Sequence, residues 1–263
     1  MKPVDLNEFY VGYAGGVPRG TRRFVRGVVA LFATLLLATA GLAATLQNPG
    51  GDGVFEFGDV RHHAGWIERL PHPVLVVPGP AVPGSDAHVA TRHLLSAFGK
   101  HGADALFTGD DDAWYELDAT LVHRDGRTML EVVDDSVRIG EAPADAVRPV
   151  AAYERLGVRT LVGEIVDSKC FLGVMKPGNL KSHRACAVRC VSGGVPPVLL
   201  VRDAEGIATY HLLVDVDGSA VNERVLPLVA LPVEVTGELE RHGDLLVLRA
   251  DPATYRRVGG FGE

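Results

Sequence analysis

A chain of 263 residues, 47% hydrophobic and 22% charged, is long enough for one or two packed domains and too apolar for disorder. Its net charge of -7 excludes the basic footprint of a nucleic-acid binder, so no nucleic acid is expected as a partner. Glycine (31) and proline (16) are abundant and aromatics are 6%, a balance that favours short strands and turns over long helices.

Charge is unevenly placed. Residues 1–26 carry Lys2, Arg19, Arg22, Arg23 and Arg26 against Asp5 and Glu8, a net +3 that leaves -10 for the rest. Residues 27–46 then run for 20 positions without a charge. About 20 apolar residues, rising 1.5 Å each, span the hydrocarbon core of a bilayer. A buried soluble helix would need a polar face, and the run has none. The pattern predicts a cytoplasmic segment over 1–26 and a transmembrane helix over 27–46. Basic residues on the N-terminal side place the body outside, on a single-pass inner (cytoplasmic) membrane protein whose first partner is the lipid bilayer. A cleaved signal peptide, cut near Ala38-Thr39-Ala40, is the rival, although signal cores usually run only about 7–15 residues. Arg22-Arg23 also loosely resembles a twin-arginine signal, with Phe24 one place early.

Residues 47–56 read as a Gly-rich tether, and beyond it lies a faint internal duplication. Phe57-Gly58-Asp59-Val60-Arg61 and Gly65-Trp66-Ile67-Glu68 align with Leu156-Gly157-Val158-Arg159 and Gly163-Glu164-Ile165-Val166. Residues 116–121 align with 234–239, each continuing through a polar turn into an apolar run. The expected domains are 57–150 and 151–263. In the first, Ser85 predicts a cap for a helix over 86–98; in the second, Ser182 predicts a cap for a helix over 183–191, stopped by Gly193-Gly194. Pro197–Arg202 with 207–213, and 233–241 with 244–249, read as hairpins. The expected fold class is mainly β: one N-terminal transmembrane helix plus two small OB-like β-barrel halves, each with one short helix.

All three cysteines fall within 21 residues. In the second-half helix His183, Cys186 and Cys190 stand at i, i+3 and i+7, on one face, with Cys170 at the end of the preceding strand. Cys170, His183, Cys186 and Cys190 together have the donor number and type of a tetrahedral zinc site, and the thiolates equally suit copper(I). Export to an oxidising compartment allows instead a disulfide from Cys170 to Cys186 or Cys190, leaving one thiol over. Inert burial of small apolar cysteines is the third reading. A thiol nucleophile at Cys186 or Cys190 is a further possibility, favouring Cys186 nearer the helix N-terminus.

The segment GEIVDSKCFLGVMKPGNLKSHRACAVRCVSGGVPPVLLV resembles one found in uncharacterised bacterial membrane-anchored or exported proteins. The shared features are the strand over 163–167, Cys170, the His183-to-Ala187 helix, Cys190, and Gly194 to Pro196. The resemblance covers about 40 residues, brings no established activity, and implies only that the cluster is one unit.

Other candidates are weaker. His62 and His63 should point to opposite faces of a strand. His88 and Arg92 read as a solvated helix face, and Asp110-Asp111-Asp112 as a polar turn. His211, ending a strand, is a conceivable neighbour of the cysteine helix. No nucleophile elbow, P-loop or dinucleotide fingerprint occurs, and no enzyme activity is assigned. The expectation is a membrane-anchored extracytoplasmic metal-binding or thiol-redox accessory of a membrane oxidoreductase system, docked to another membrane protein. The alternative is a structural subunit, a disulfide-stapled β-barrel with no chemistry of its own.

Overall fold

The computed structural model describes residues 17–46, 53–81, 88–109, 113–144, 146–148 and 153–259. The chain forms two compact units, dividing between Pro49 and Gly50.

The first unit is a single helix, α1 (Arg19–Leu46), 28 residues long with none buried. At 1.5 Å per residue it measures about 42 Å, more than a hydrocarbon core. The only polar side chains in its apolar run are threonines. Thr34, Thr39 and Thr45 each return the hydroxyl proton to a carbonyl one turn back, at 2.9 Å. Hydroxyls satisfied in this way are compatible with lipid. A helix this apolar, with no buried face, is either a membrane span or a signal sequence rather than a soluble core helix.

The second unit holds two closed five-stranded barrels. The first comprises β1 (Val54–Arg69), β2 (Pro73–Ala81), β3 (His88–Ser96), β4 (Trp114–Arg124) and β5 (Arg127–Val132), with a short β6 (Arg138–Ile139). The second comprises β7 (Tyr153–Asp167), β8 (Pro197–Arg202), β9 (Ala208–Val214), β10 (Pro232–His242) and β11 (Leu245–Arg249), with β12 (Arg256–Arg257). The strand orders are β1-β2-β3-β5-β4 and β7-β8-β9-β11-β10, each closed by its ends pairing, β1 with β4 and β7 with β10. Within each ring only β3–β5 and β9–β11 run parallel. This is the OB-like arrangement expected.

The registers match pair for pair. Trp66 faces Val76 as Glu164 faces Leu200; Leu94 faces Met129 as Leu212 faces Val247; Glu116 faces Arg138 as Glu234 faces Arg256. Gly65 and Gly163, aligned by sequence, share one constraint: a Cβ at either would stand 2.4 Å from the facing carbonyl oxygen, of Val76 or Leu200. The duplication read from sequence therefore holds in register.

One expected element is overturned. Residues 88–96 of the predicted helix over 86–98 form strand β3; Ser85 and Asp86 lie outside the described residues. Barrel closure needs a strand here to pair with both β2 and β5, and that ladder outweighs local helix propensity. Arg92 is consequently buried, its guanidinium 3.1 Å from Glu68, rather than on a solvated helix face; the side chain of His88 lies outside the described residues. The helical pieces described between β1 and β6 are single 3-10 turns, Asp104–Leu106 and Asp134–Ser136. The predicted turn at Asp110-Asp111-Asp112 also lies outside the described residues.

Each barrel has its own core, and a third apolar cluster joins them. Val74, Leu94, Val122 and Met129 of the first pack with Val166, Phe171, Val198 and Leu212 of the second. The Arg124 guanidinium lies 4.4 Å above the Phe171 ring, and the Tyr210 hydroxyl donates to Asp125 at 2.9 Å. The barrels differ most at one connection. Three residues join β1 to β2, whereas 29 join β7 to β8. That insertion carries a π-turn (Cys170–Val174) and helix α2 (Leu180–Ser192), and with them all three cysteines.

Candidate metal centre

The insertion begins where β7 ends, at Asp167. This fully buried carboxylate accepts the Cys170 backbone N–H on Oδ1 at 2.7 Å, holding the start of the π-turn. Helix α2 starts at Leu180, before the predicted cap, so Ser182 lies inside it and Asn179 occupies the cap position. The Leu180 N–H donates to the side chain of Glu164 on β7, an acceptor that adjacent sequence does not reveal. Burial raises the Glu164 carboxyl above its usual range, and the Leu180 bond opposes that rise. The helix ends at Gly193, followed by Gly194 in the left-handed region (φ +97°), as the glycine pair predicts.

This framework brings the three sulfurs together. Cys170 Sγ lies 3.9 Å from Cys186 Sγ and 3.8 Å from Cys190 Sγ. Cys170 and Cys190 are buried, and Cys186 is partly exposed. The three ligand atoms all lie within 4.8 Å of one another, a group able to hold a metal ion. All three cysteines are free. An S–S bond of about 2.05 Å is not formed, so the expected disulfide is not part of this structure; the barrel closes through its own strand pairings instead.

His183 takes a different place from the one expected. Its Nε2 lies 3.2 Å from Asp167 Oδ2, and it is buried. It belongs to a second group with Asp167 and Cys170, again within 4.8 Å of one another, rather than to the three-sulfur group. Cys170 is common to both. His211 joins neither: it is buried in β9 with Nδ1 3.3 Å from the Leu199 carbonyl oxygen. His62 pairs with Asp118 on the exposed face at 3.1 Å, while His63 is half-buried, as strand alternation predicts.

Sequence reasoning gave no role to two lysines that shape the site. Lys100, from the turn after β3 in the first barrel, donates to Cys186 Sγ at 2.7 Å and stands 3.9 Å from Cys190 Sγ. Nothing in its local sequence signals a partner 86 residues away. Lys169 is buried beside Cys170 and reaches into the first barrel. Its ammonium donates to the carbonyls of Ala97 (2.7 Å) and Gly99 (2.8 Å) and pairs with Glu131. The Gly102 N–H donates to the Gly193 carbonyl at 2.9 Å. Together these bonds fix the turn that presents Lys100.

The electrostatics favour a charged sulfur. The hydrogen bond to Cys190, then burial and the Asp167 charge, push the Cys170 thiol far above its usual range. The same bond pulls Cys190 down against the opposing effect of burial, and Lys100 adds to the fall. Of the two sulfurs, Cys190 is the one whose ionisation this pairing favours. The hydrogen bond to Cys186 raises the Lys100 ammonium, which stays protonated. No known protein-family model matches the chain, and neither does any curated protein.

Proposed function

We propose that this chain is a membrane-anchored extracytoplasmic protein whose body holds a thiophilic metal ion, zinc or copper, on Cys170, Cys186 and Cys190, as an accessory of a membrane oxidoreductase system. The sulfur spacing carries the reading. Ligands about 2.3 Å from one zinc ion stand about 3.8 Å apart at the tetrahedral angle, and the observed separations are 3.8 and 3.9 Å. Three sulfurs converging on one point, rather than a single S–H···S pair, is what supports a shared ion. The arginines at the start of α1 and the uncharged run after them support an N-terminus inside and the body outside, where it would dock to another membrane protein.

A second reading, thiol redox chemistry, is favoured by the Lys100–Cys186 bond: an ammonium beside a partly exposed sulfur is the environment of a reactive thiolate.

The test is metal analysis of the full chain, purified anaerobically in detergent, with a thiol count. Metal retained by the native protein and reduced in Cys186→Ser supports the metal site. A metal-free protein with three titratable thiols overturns it in favour of redox chemistry. One titratable thiol, rising to three on reduction, would instead establish the disulfide-stapled structural subunit.

A further inference from the structure

The two overlapping ligand groups carry an inference that rests on the metal reading above and extends it. The geometry points to a two-metal centre in which the Cys170 thiolate bridges two ions, one bound by Cys170, Cys186 and Cys190, the other by Cys170, Asp167 and His183.

Spacing is the first ground. Cys170 is the one residue common to both groups, and within each group the ligand atoms lie no more than 4.8 Å apart. Asp167 Oδ2 and His183 Nε2 stand 3.2 Å apart. Nitrogen and oxygen ligands held about 2.0–2.1 Å from a tetrahedral zinc are about 3.4 Å apart. The Asp167 carboxylate is already oriented, because Oδ1 is held by the Cys170 N–H and Oδ2 faces the ring.

Charge is the second ground. With its ligands ionised the cluster holds three thiolates and one carboxylate. Uncompensated charge in a buried site is costly. One divalent ion leaves two negative charges, of which the Lys100 ammonium against the sulfurs offsets one. Two divalent ions balance all four ligands. Asp167 and His183 belong to a group that contains neither Cys186 nor Cys190, the two sulfurs beside that lysine.

Chemistry is the third. The outer group is all sulfur and suits soft ions, while the inner group of oxygen, nitrogen and sulfur suits zinc. The rival arrangement is a single ion on the three sulfurs, with Asp167 and His183 only as outer-shell partners that orient Cys170.

The experiment loads the reduced full chain in detergent with zinc, removes excess ion by gel filtration, and reads zinc per chain by mass spectrometry. Cobalt(II) substitution reads the thiolate-to-metal absorption in parallel. Native protein should hold about two ions. His183→Ala should hold about one and keep the cobalt–thiolate band of the outer site. Asp167→Asn, which preserves the side-chain shape, should do the same and guards against misfolding in the histidine variant. One ion in the native protein, or two in both variants, overturns the two-metal centre. No ion in the native protein overturns the metal reading itself, so the two failures are distinguishable.

Discussion

Replacing Lys169 by methionine keeps the apolar stem and removes an ammonium with three acceptors: the Ala97 and Gly99 carbonyls and the Glu131 carboxylate. The Glu131 side chain is only 12% exposed, so water reaches it poorly. Breaking a buried pair from one side leaves the other charge uncompensated, at a cost of about 3–5 kcal/mol. For a body of this size each kcal/mol lowers Tm by about 2–4 °C, so the variant should melt roughly 6–20 °C below the native protein. The double variant Lys169→Met, Glu131→Leu removes the orphaned charge and should recover more than half of the loss. Urea midpoints at constant m-value give the difference directly. A single variant within about 1 kcal/mol of the native protein, or a double variant less stable than the single, would refute the view that this pair ties the insertion to the first barrel.

Three further outcomes follow from other parts of the molecule. Burial opposes ionisation of Glu240, yet hydrogen bonds from Arg249, His242 and Tyr153 hold its carboxyl down at about 2. Its stabilisation is complete above the usual 4.5 and is lost as pH falls toward about 2; acid titration of stability should show this fall, and Glu240→Gln should flatten it. Gly163→Ala and Gly65→Ala each force a methyl against a facing carbonyl. Both should lower stability by about 1–3 kcal/mol in denaturant, and a neutral result at either would break their structural equivalence. If α1 is an uncleaved anchor, the full-length protein stays in membranes through a carbonate wash and a reporter after Glu263 is active only outside; a mature chain beginning near residues 41–47 would identify a signal peptide.

Much of this architecture is legible because it is local. The uncharged run of α1, the β8–β9 and β10–β11 hairpins with their polar turns, and the Gly193-Gly194 stop all depend on neighbouring residues. The duplication is legible because Gly65 and Gly163 sit where a facing backbone leaves no room for a side chain, so the barrel writes the same residue twice. What fails is non-local. Residues 88–96 form a strand because β2 and β5 flank them, and α2 begins early because Glu164, 16 residues back on β7, meets its first N–H. Among the site residues, the convergence of Cys170, Cys186 and Cys190 follows from helical spacing after a strand end. His183 has the spacing of a fourth ligand, yet it groups with Asp167 and Cys170 rather than with Cys186 and Cys190. Lys100 is supplied by the other barrel and has no signature in its own segment.

The measurement that bears most directly on the three-sulfur site is X-ray absorption at the metal edge of the anaerobically purified chain. A metal held by Cys170, Cys186 and Cys190 should show a first shell dominated by sulfur at about 2.3 Å, with that sulfur contribution reduced in Cys190→Ser. A first shell of nitrogen and oxygen alone, or one unchanged by the substitution, would contradict it.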